Sequence, residues 1–330
     1  MVTTTPADPV AQGRLQTGSA AVPPGVTVHR VDVPILPGAG FTYSPWAGAA
    51  MREALRPLEP DVAHLHASIC STGTLAGAWA ANRLDLPIVV TFHSVLGIYR
   101  HLLRGFDVAV GWSRWPHVFS AVARALADEV AWLAPGRAVE VLPNGIDLAE
   151  WAADPVGGAP VPPGSPDELR LVLVLRLQAR KRGIPLIRVV AGAAARLRGI
   201  RHVRLTVIGD GPERRAMEAE ARRLGIAEAV EFTGYLERPA IRERFARADA
   251  FVLVSVLESF GIAALEARAA GLPVVARSES GMGELLENGR EALLAPSDAA
   301  VTDALVRLGQ DPALLRAIAH HNRAVPPSIG

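Results

Sequence analysis

The sequence predicts two α/β domains in tandem, each built on a parallel sheet. Three observations lead there. Strand-like and helix-like stretches alternate along the chain, and the strands read apolar on both faces, as strands covered by helices on each side must. The alternation is interrupted by "PVGGAPVPPGSP" at 155–166, rich in proline and glycine and free of charge, the composition of a linker between two cores. The chain is also large enough: 330 residues with 50% apolar content can fill two cores of ordinary size.

The elements follow in order. Residues 1–25 are polar and aperiodic and predict a disordered tail. "VTVHRVDV" (26–33) alternates as a strand, "GAAMREALRPLEP" (48–60) has helical spacing that stops before Pro60, and "DVAHLH" (61–66) reads as a strand. A helix through "TGTLAGAWAANRL" and a strand in "PIVVTFH" follow. After a less regular stretch at 95–117 come a helix within "SAVARALADEVAWL" and a short strand within "AVEVLP". Beyond the linker the strands are "LRLVLVLRL", "VRLTVIG", "AVEFTG", "AFVLVSV" and "LPVVA". Helices fall between them, through "IPLIRVVAGAAARL", "PERRAMEAEARRL", "AIRERFARA" and "FGIAALEARAAG". The domains are therefore read as 26–154 and 167–330, with a cleft between them as the default binding place.

Composition narrows the function. A formal charge of +1, with basic and acidic residues interleaved, gives no surface for nucleic acid. The single cysteine, Cys70 in "SICSTG", can form no internal disulfide and has no metal-ligand partner at useful spacing, so it reads as packing. There is no Asp-x-Asp and no His/Cys/carboxylate cluster, so no metal site is expected. The start lacks a signal-peptide pattern and no apolar run is long enough for a bilayer, which points to the cytoplasm.

Lys181, in "RLQARKRG", is the only lysine in a chain whose other basic side chains are arginines. Either it starts a solvated helix, or it is the point charge of an anion site that also uses an arginine fork. In "VIGDGPER", Gly209 and Gly211 lie between a strand and a helix; they fit a phosphate-approach loop or a tight turn, and Arg214 stands where a dinucleotide fingerprint needs its third glycine. In "ESFGIAALEARAAGLPVV", Glu258 precedes a helix and Glu266 lies within it. A carboxylate on an apolar helical surface needs hydroxyl donors from a ligand or an ion pair, for which Arg268 is the near candidate. His64 and His66 are two apart on one strand face, with His66 nearer the strand end, and His93 closes the next strand.

Together, "RLQARK", "VIGDGPE", "EFTGYL", "SVLESFGIAALEARAAGLPVVA" and "SGMGELLENG", in that order and preceded by "LPNGID" (142–147), resemble the family 4 glycosyltransferases. The resemblance covers most of residues 26–320 and implies the GT-B architecture, two Rossmann-like domains facing a cleft. It implies a nucleoside-diphosphate sugar as donor and transfer of a hexosyl group with retention; no cofactor beside that donor is expected. By this resemblance Arg176 and Lys181 bind the donor diphosphate, Glu258 lies near the donor sugar, and Glu266 holds the ribose hydroxyls. His93 reaches the sugar from the first domain. Gly209, Gly211 and the helix start at Phe260, Gly261 and Ile262 line the nucleotide, and Asn144 and Gly145 are structural.

The chain also departs from the family pattern. Residues 1–25 show no opening strand and glycine-rich loop, and the end at "HHNRAVPPSIG" shows no helix crossing back to the first domain, so a truncated chain is expected. Leu175 and Ser280 replace glycines of the diphosphate loops. Three functions stay open: an active hexosyltransferase, a nucleotide-sugar-binding but inactive homologue, and a nucleotide-sugar epimerase of the same architecture. The acceptor is a sugar, a small molecule or a lipid. Residues 95–117 are its expected wall, with Trp112 and Trp115 for stacking, and Tyr99, Arg100, Leu102, Leu103, Arg104 and Phe106 for a peripheral contact with the inner face of a membrane.

Overall fold

The computed structural model describes residues 2–6, 25–33, 46–68, 72–97, 99–115, 117–152 and 167–327. Cys70 and the stretch 155–166 lie outside them. The chain forms two compact units, Met1–Leu142 and Pro143–Gly330. The sequence reading closes the first domain with "LPNGID", whereas in the structure this segment opens the second unit. Asp147 caps the short helix Leu148–Trp151, accepting from the N–H groups of Ala149 and Glu150. Trp151, 2% exposed, is then buried with its ring 5.7 Å from that of Phe245. An indole in a core outweighs the punctuation of a glycine turn.

In the first unit, β1 (Val2–Pro6) pairs in parallel with β2 (His29–Val33). This corrects the expectation of a tail with no opening strand. "VTTTP" shows no alternation, but its run of β-branched side chains favours extended backbone. A second sheet has the order β3–β4–β5–β6, all parallel: Ala63–Ala67, Ile88–Phe92, His117–Ala121 and Val139–Val141. Helices α1 (Ala47–Leu55) and α2 (Thr72–Asn82) pack on each other, and α3 (Tyr99–Val110) packs on α4 (Arg124–Leu133). Ile88, Val90, Phe92, Phe119, Leu126 and Leu133 form the core. The stretch read as irregular therefore holds both α3 and the start of β5.

The second unit is a single parallel sheet with the order β12–β11–β10–β7–β8–β9. The strands are β7 Glu168–Val174, β8 His202–Ile208, β9 Val230–Gly234, β10 Ala250–Leu253, β11 Val274–Arg277 and β12 Ala292–Ala295. From central β7 the chain adds β8 and β9 on one side, then returns to lay β10, β11 and β12 on the other. The direction reverses between β7 and β10, and their carboxyl ends form the switch point at which open parallel sheets bind ligands. After α5 (Leu148–Trp151), the helices are α6 Gly183–Arg196, α7 Arg214–Arg223, α8 Arg238–Arg247, α9 Ile262–Ala269, α10 Met282–Leu285, α11 Asp298–Gln310 and α12 Pro312–Ala324.

The last helix is docked on this unit. Arg268, fully buried, pairs with Glu291 and donates to the carbonyls of Asn322 and Val325, while the Asn322 amide donates to the carbonyls of Leu272 and Glu291. Removing one partner of such a pair leaves a desolvated charge, so the network fixes where α12 lies.

Candidate active site

The loop after β7 carries the two basic residues. Leu177, 1% exposed, anchors it, and backbone bonds from Leu175 N–H to Ile208 and from Leu177 N–H to Asp210 hold it against the loop after β8. Arg176 is exposed and makes no side-chain hydrogen bond or ion pair among the described residues. Lys181 ends a single 3₁₀ turn, and its Nζ lies 2.5 Å from Glu258 Oε2 in the loop after β10. Two of the expected site residues thus meet at the switch point.

Gly209 and Gly211 have φ of 122° and 157°, and a Cβ on either would overlap the carbonyl oxygen of Leu175 or Leu177. The Gly209 N–H donates to Gly234 O and that of Gly211 to Asp210 Oδ1. What these glycines supply here is close approach of two loops, backbone against backbone.

On the β10 side, Phe260 is buried and Gly261 adopts a left-handed φ of 71°, where a Cβ would overlap Met282. α9 starts at the half-exposed Ile262 without a side-chain cap. The loop is braced from behind, where the Gly281 N–H donates to Glu258 O and the Ser280 hydroxyl donates to Arg277 O.

Glu266, one turn into α9, is partly buried, and its side chain has no hydrogen bond or ion pair among the described residues. Burial pushes its carboxyl up to about 7, with Arg238 acting to lower it and Glu150 to raise it. Arg238 is itself bound to Glu150, Nη1 to Oε2 at 2.9 Å. The alternative partner read from the sequence, Arg268, is committed to Glu291 in the core. Glu150 and Arg238 went unread because only the packing of α5 on α9 brings them near Glu266.

In the first unit, His93 directly follows β4, with its N–H bonded to Ala67 O. Its Nε2 is 2.8 Å from Nδ1 of His66, whose ring lies 4.6 Å from that of His64. His64 Nε2 in turn reaches Thr91 Oγ1 at 2.7 Å, and Thr91 reaches Ser120 Oγ. Burial and His64 hold His66 below the ordinary histidine range. The expected stacking wall is partly packing: Trp112 is 7% exposed and set edge-on to Phe119, and Trp115 stacks on His117. Tyr99, Leu102 and Phe106 of α3 are exposed. Among the described residues no group of His, Cys, Asp and Glu could hold a metal ion, and no helix is long and apolar enough to cross a membrane.

Residues 2–150 match the family described as Glycosyltransferase Family 4, and residues 147–311 the one described as Glycosyl transferases group 1. The first match begins with β1, so the segment read as a tail falls within the family pattern. Glycogen synthase of Mycobacterium tuberculosis is 33% identical over 267 residues, 76% of this chain and 60% of that protein. D-inositol 3-phosphate glycosyltransferase of Kribbella flavida is 32% identical over 316 residues, 88% of this chain and 74% of that one. GDP-mannose-dependent alpha-mannosyltransferase of M. tuberculosis is 30% identical over 286 residues, 82% of this chain and 70% of that one. The crystal structure of Anabaena HepE in complex with UDP and glucose superposes with a TM-score of 0.72 at 22% identity, over 91% of this chain and 81% of that one. WaaG, a glycosyltransferase involved in lipopolysaccharide biosynthesis, gives 0.67 at 18% identity, over 90% and 82%. At such identities the structural likeness speaks for the fold, and the sequence matches speak for the family. This chain belongs to the family 4 glycosyltransferases and has the GT-B fold.

Proposed function

We propose that the protein transfers a hexosyl group from a nucleoside-diphosphate sugar to an acceptor, with retention of configuration and without a metal ion. The observation that carries this reading is the Lys181–Glu258 pair at the switch point, with Arg176, unpaired among the described residues, on the same loop. An entering diphosphate offers Lys181 a stronger anion than Glu258, and the carboxylate released becomes an acceptor for sugar hydroxyls. As the anomeric C–O bond breaks, negative charge grows on the β-phosphate, where an ammonium and a guanidinium stabilise it more than in the ground state. With retention, the acceptor oxygen bonds the anomeric carbon on the face the phosphate leaves, and the acceptor proton passes to the departing phosphate oxygen. Glu266, whose carboxylate has no hydrogen bond or ion pair among the described residues, accepts from the ribose hydroxyls.

Support for the donor class comes from similar proteins: one is named as GDP-mannose-dependent, and the crystal structures of another hold UDP, glucose or UDP-glucose. Two substitutions separate the roles. Glu266→Ala is expected to weaken nucleotide binding by about 1.5–3 kcal/mol, the worth of charge-assisted hydrogen bonds. Lys181→Ala is expected to lower turnover by about 10²–10³ while changing donor affinity less. Titration of both variants beside initial rates of donor cleavage tests this. Unchanged nucleotide affinity in Glu266→Ala, or a pure affinity loss in Lys181→Ala, contradicts the assignment.

A further inference from the structure

Arg182 adopts φ 59° and ψ 40°, a left-handed conformation that side chains other than glycine's rarely take. It follows Lys181 directly and opens α6 without giving it a side-chain cap. Strain of this kind persists where surrounding contacts over-determine it, and the contacts are identifiable. Arg182 Nη1 donates to Val254 O at 3.1 Å, and its two terminal nitrogens reach both oxygens of Asp298, at 3.1 and 2.7 Å. Asp298 Oδ1 also accepts from Arg277 Nη1 at 2.8 Å, and Arg277 Nη2 donates to Pro296 O at 2.9 Å.

One carboxylate at the start of α11 thus joins segments at the carboxyl ends of β7, β10, β11 and β12. An isolated exposed ion pair does little, but a bidentate and branched one has the geometry that resists fraying. The consecutive residues Lys181 and Arg182 both cross to the loop after β10, Lys181 to Glu258 and Arg182 to Val254. The Arg182 bonds fix the distance between the two loops; those of Lys181 are the ones a ligand would exchange.

We propose that Arg182, clamped by Asp298, is a positioning residue that holds the Lys181 ammonium at the switch point when a diphosphate displaces Glu258. The inference rests on the reading of Lys181 as a phosphate ligand. It also explains why an arginine occupies a position whose backbone suits glycine.

The chain itself supplies the probe. With one lysine in the sequence, lysine labelled with ¹³C at Cε gives a single side-chain signal, and the Glu258→Gln variant marks where that signal lies once the ion pair is lost. Arg182→Gly relieves the backbone and so is expected to keep its melting temperature. Its Lys181 signal is expected to move toward the Glu258→Gln position. Asp298→Asn is expected to do the same, and the double variant to move the signal no further than the larger single change. Titration with UDP and with uridine supplies the functional arm: the ratio of the two affinities, which isolates the diphosphate, is expected to fall about tenfold in Arg182→Gly with uridine binding unchanged. A Lys181 signal left at its wild-type position in both variants overturns the proposal, and so does a uridine loss equal to the UDP loss. Should the wild-type chain bind neither UDP and uridine nor GDP and guanosine, the reading of the site as a nucleotide-sugar site fails, and the lysine signal alone still decides whether Arg182 positions Lys181.

Discussion

Burial pushes the Glu266 carboxyl up to about 7 against the pull of Arg238, and among the described residues no donor bonds to it. Ribose hydroxyls favour the charged form, so nucleotide binding is expected to release roughly half a proton at pH 7. Calorimetry with a nucleotide sugar in buffers of different ionisation enthalpy measures this, and the Glu266→Ala variant is expected to release none. A wild-type proton uptake, or a release kept by the variant, contradicts it. His117 shows the opposite linkage. Its ring is 4% exposed, stacked between Trp115 and Phe119, with neither nitrogen hydrogen-bonded among the described residues, and burial with Arg137 lowers it to about 4. The folded state therefore binds fewer protons than the unfolded one between pH 6.5 and 4. Stability from this group is full above 6.5 and falls as pH drops through that window, by at most about 1.4 kcal/mol per unit. Glu266, with its raised pKa, gains stability as pH falls from 7 to 4.5, so the net slope mixes both. The difference between wild type and His117→Phe in urea unfolding isolates the histidine: the variant is expected to lose less stability on acidification, and parallel slopes would refute this. Residue type alone singles out Lys181, Glu258 and Glu266 in the sequence, and the structure brings the first two together. Arg182, Asp298 and Glu150 were not legible, because a left-handed backbone and contacts between distant segments leave no local pattern.

Elements were legible where periodicity is strong. The strands and helices from β7 to β11 follow the sequence reading closely, because buried parallel strands and amphipathic helices each carry a distinct pattern. The failures share one cause, weak or competing local signals. α3 contains Gly105 within its turns; β5 is short and abuts α4; β1 lacks alternation. The loop after β8 illustrates what composition cannot show, since its glycines are needed by the backbone of the loop after β7. Gly209→Ala is expected to cost about 2–4 kcal/mol, combining left-handed strain with overlap on Leu175 O. Gly199→Ala, at φ 79° with nothing within 4 Å, is expected to cost only about 1 kcal/mol. Equal losses in chemical denaturation would show that the close approach of the two loops contributes nothing.

At the scale of the whole chain, the alternation of strands and helices identified two parallel-sheet units, and ordered motifs identified the family. Neither located the point of passage between units, because the segment 143–152 has the punctuation of a domain end and the packing of a domain start. The reading of the second unit as a metal-independent donor site depends on Arg176, Lys181, Glu258 and Glu266 acting on one ligand. The most direct measurement is calorimetric titration of the intact chain with UDP-glucose and with GDP-mannose in EDTA, repeated on Glu266→Ala and Lys181→Ala. The expected result is saturable binding of at least one of the two sugars at one site, unaffected by the chelator and weakened most by Glu266→Ala. No binding of either sugar, binding that requires a divalent ion, or binding indifferent to Glu266→Ala would contradict it.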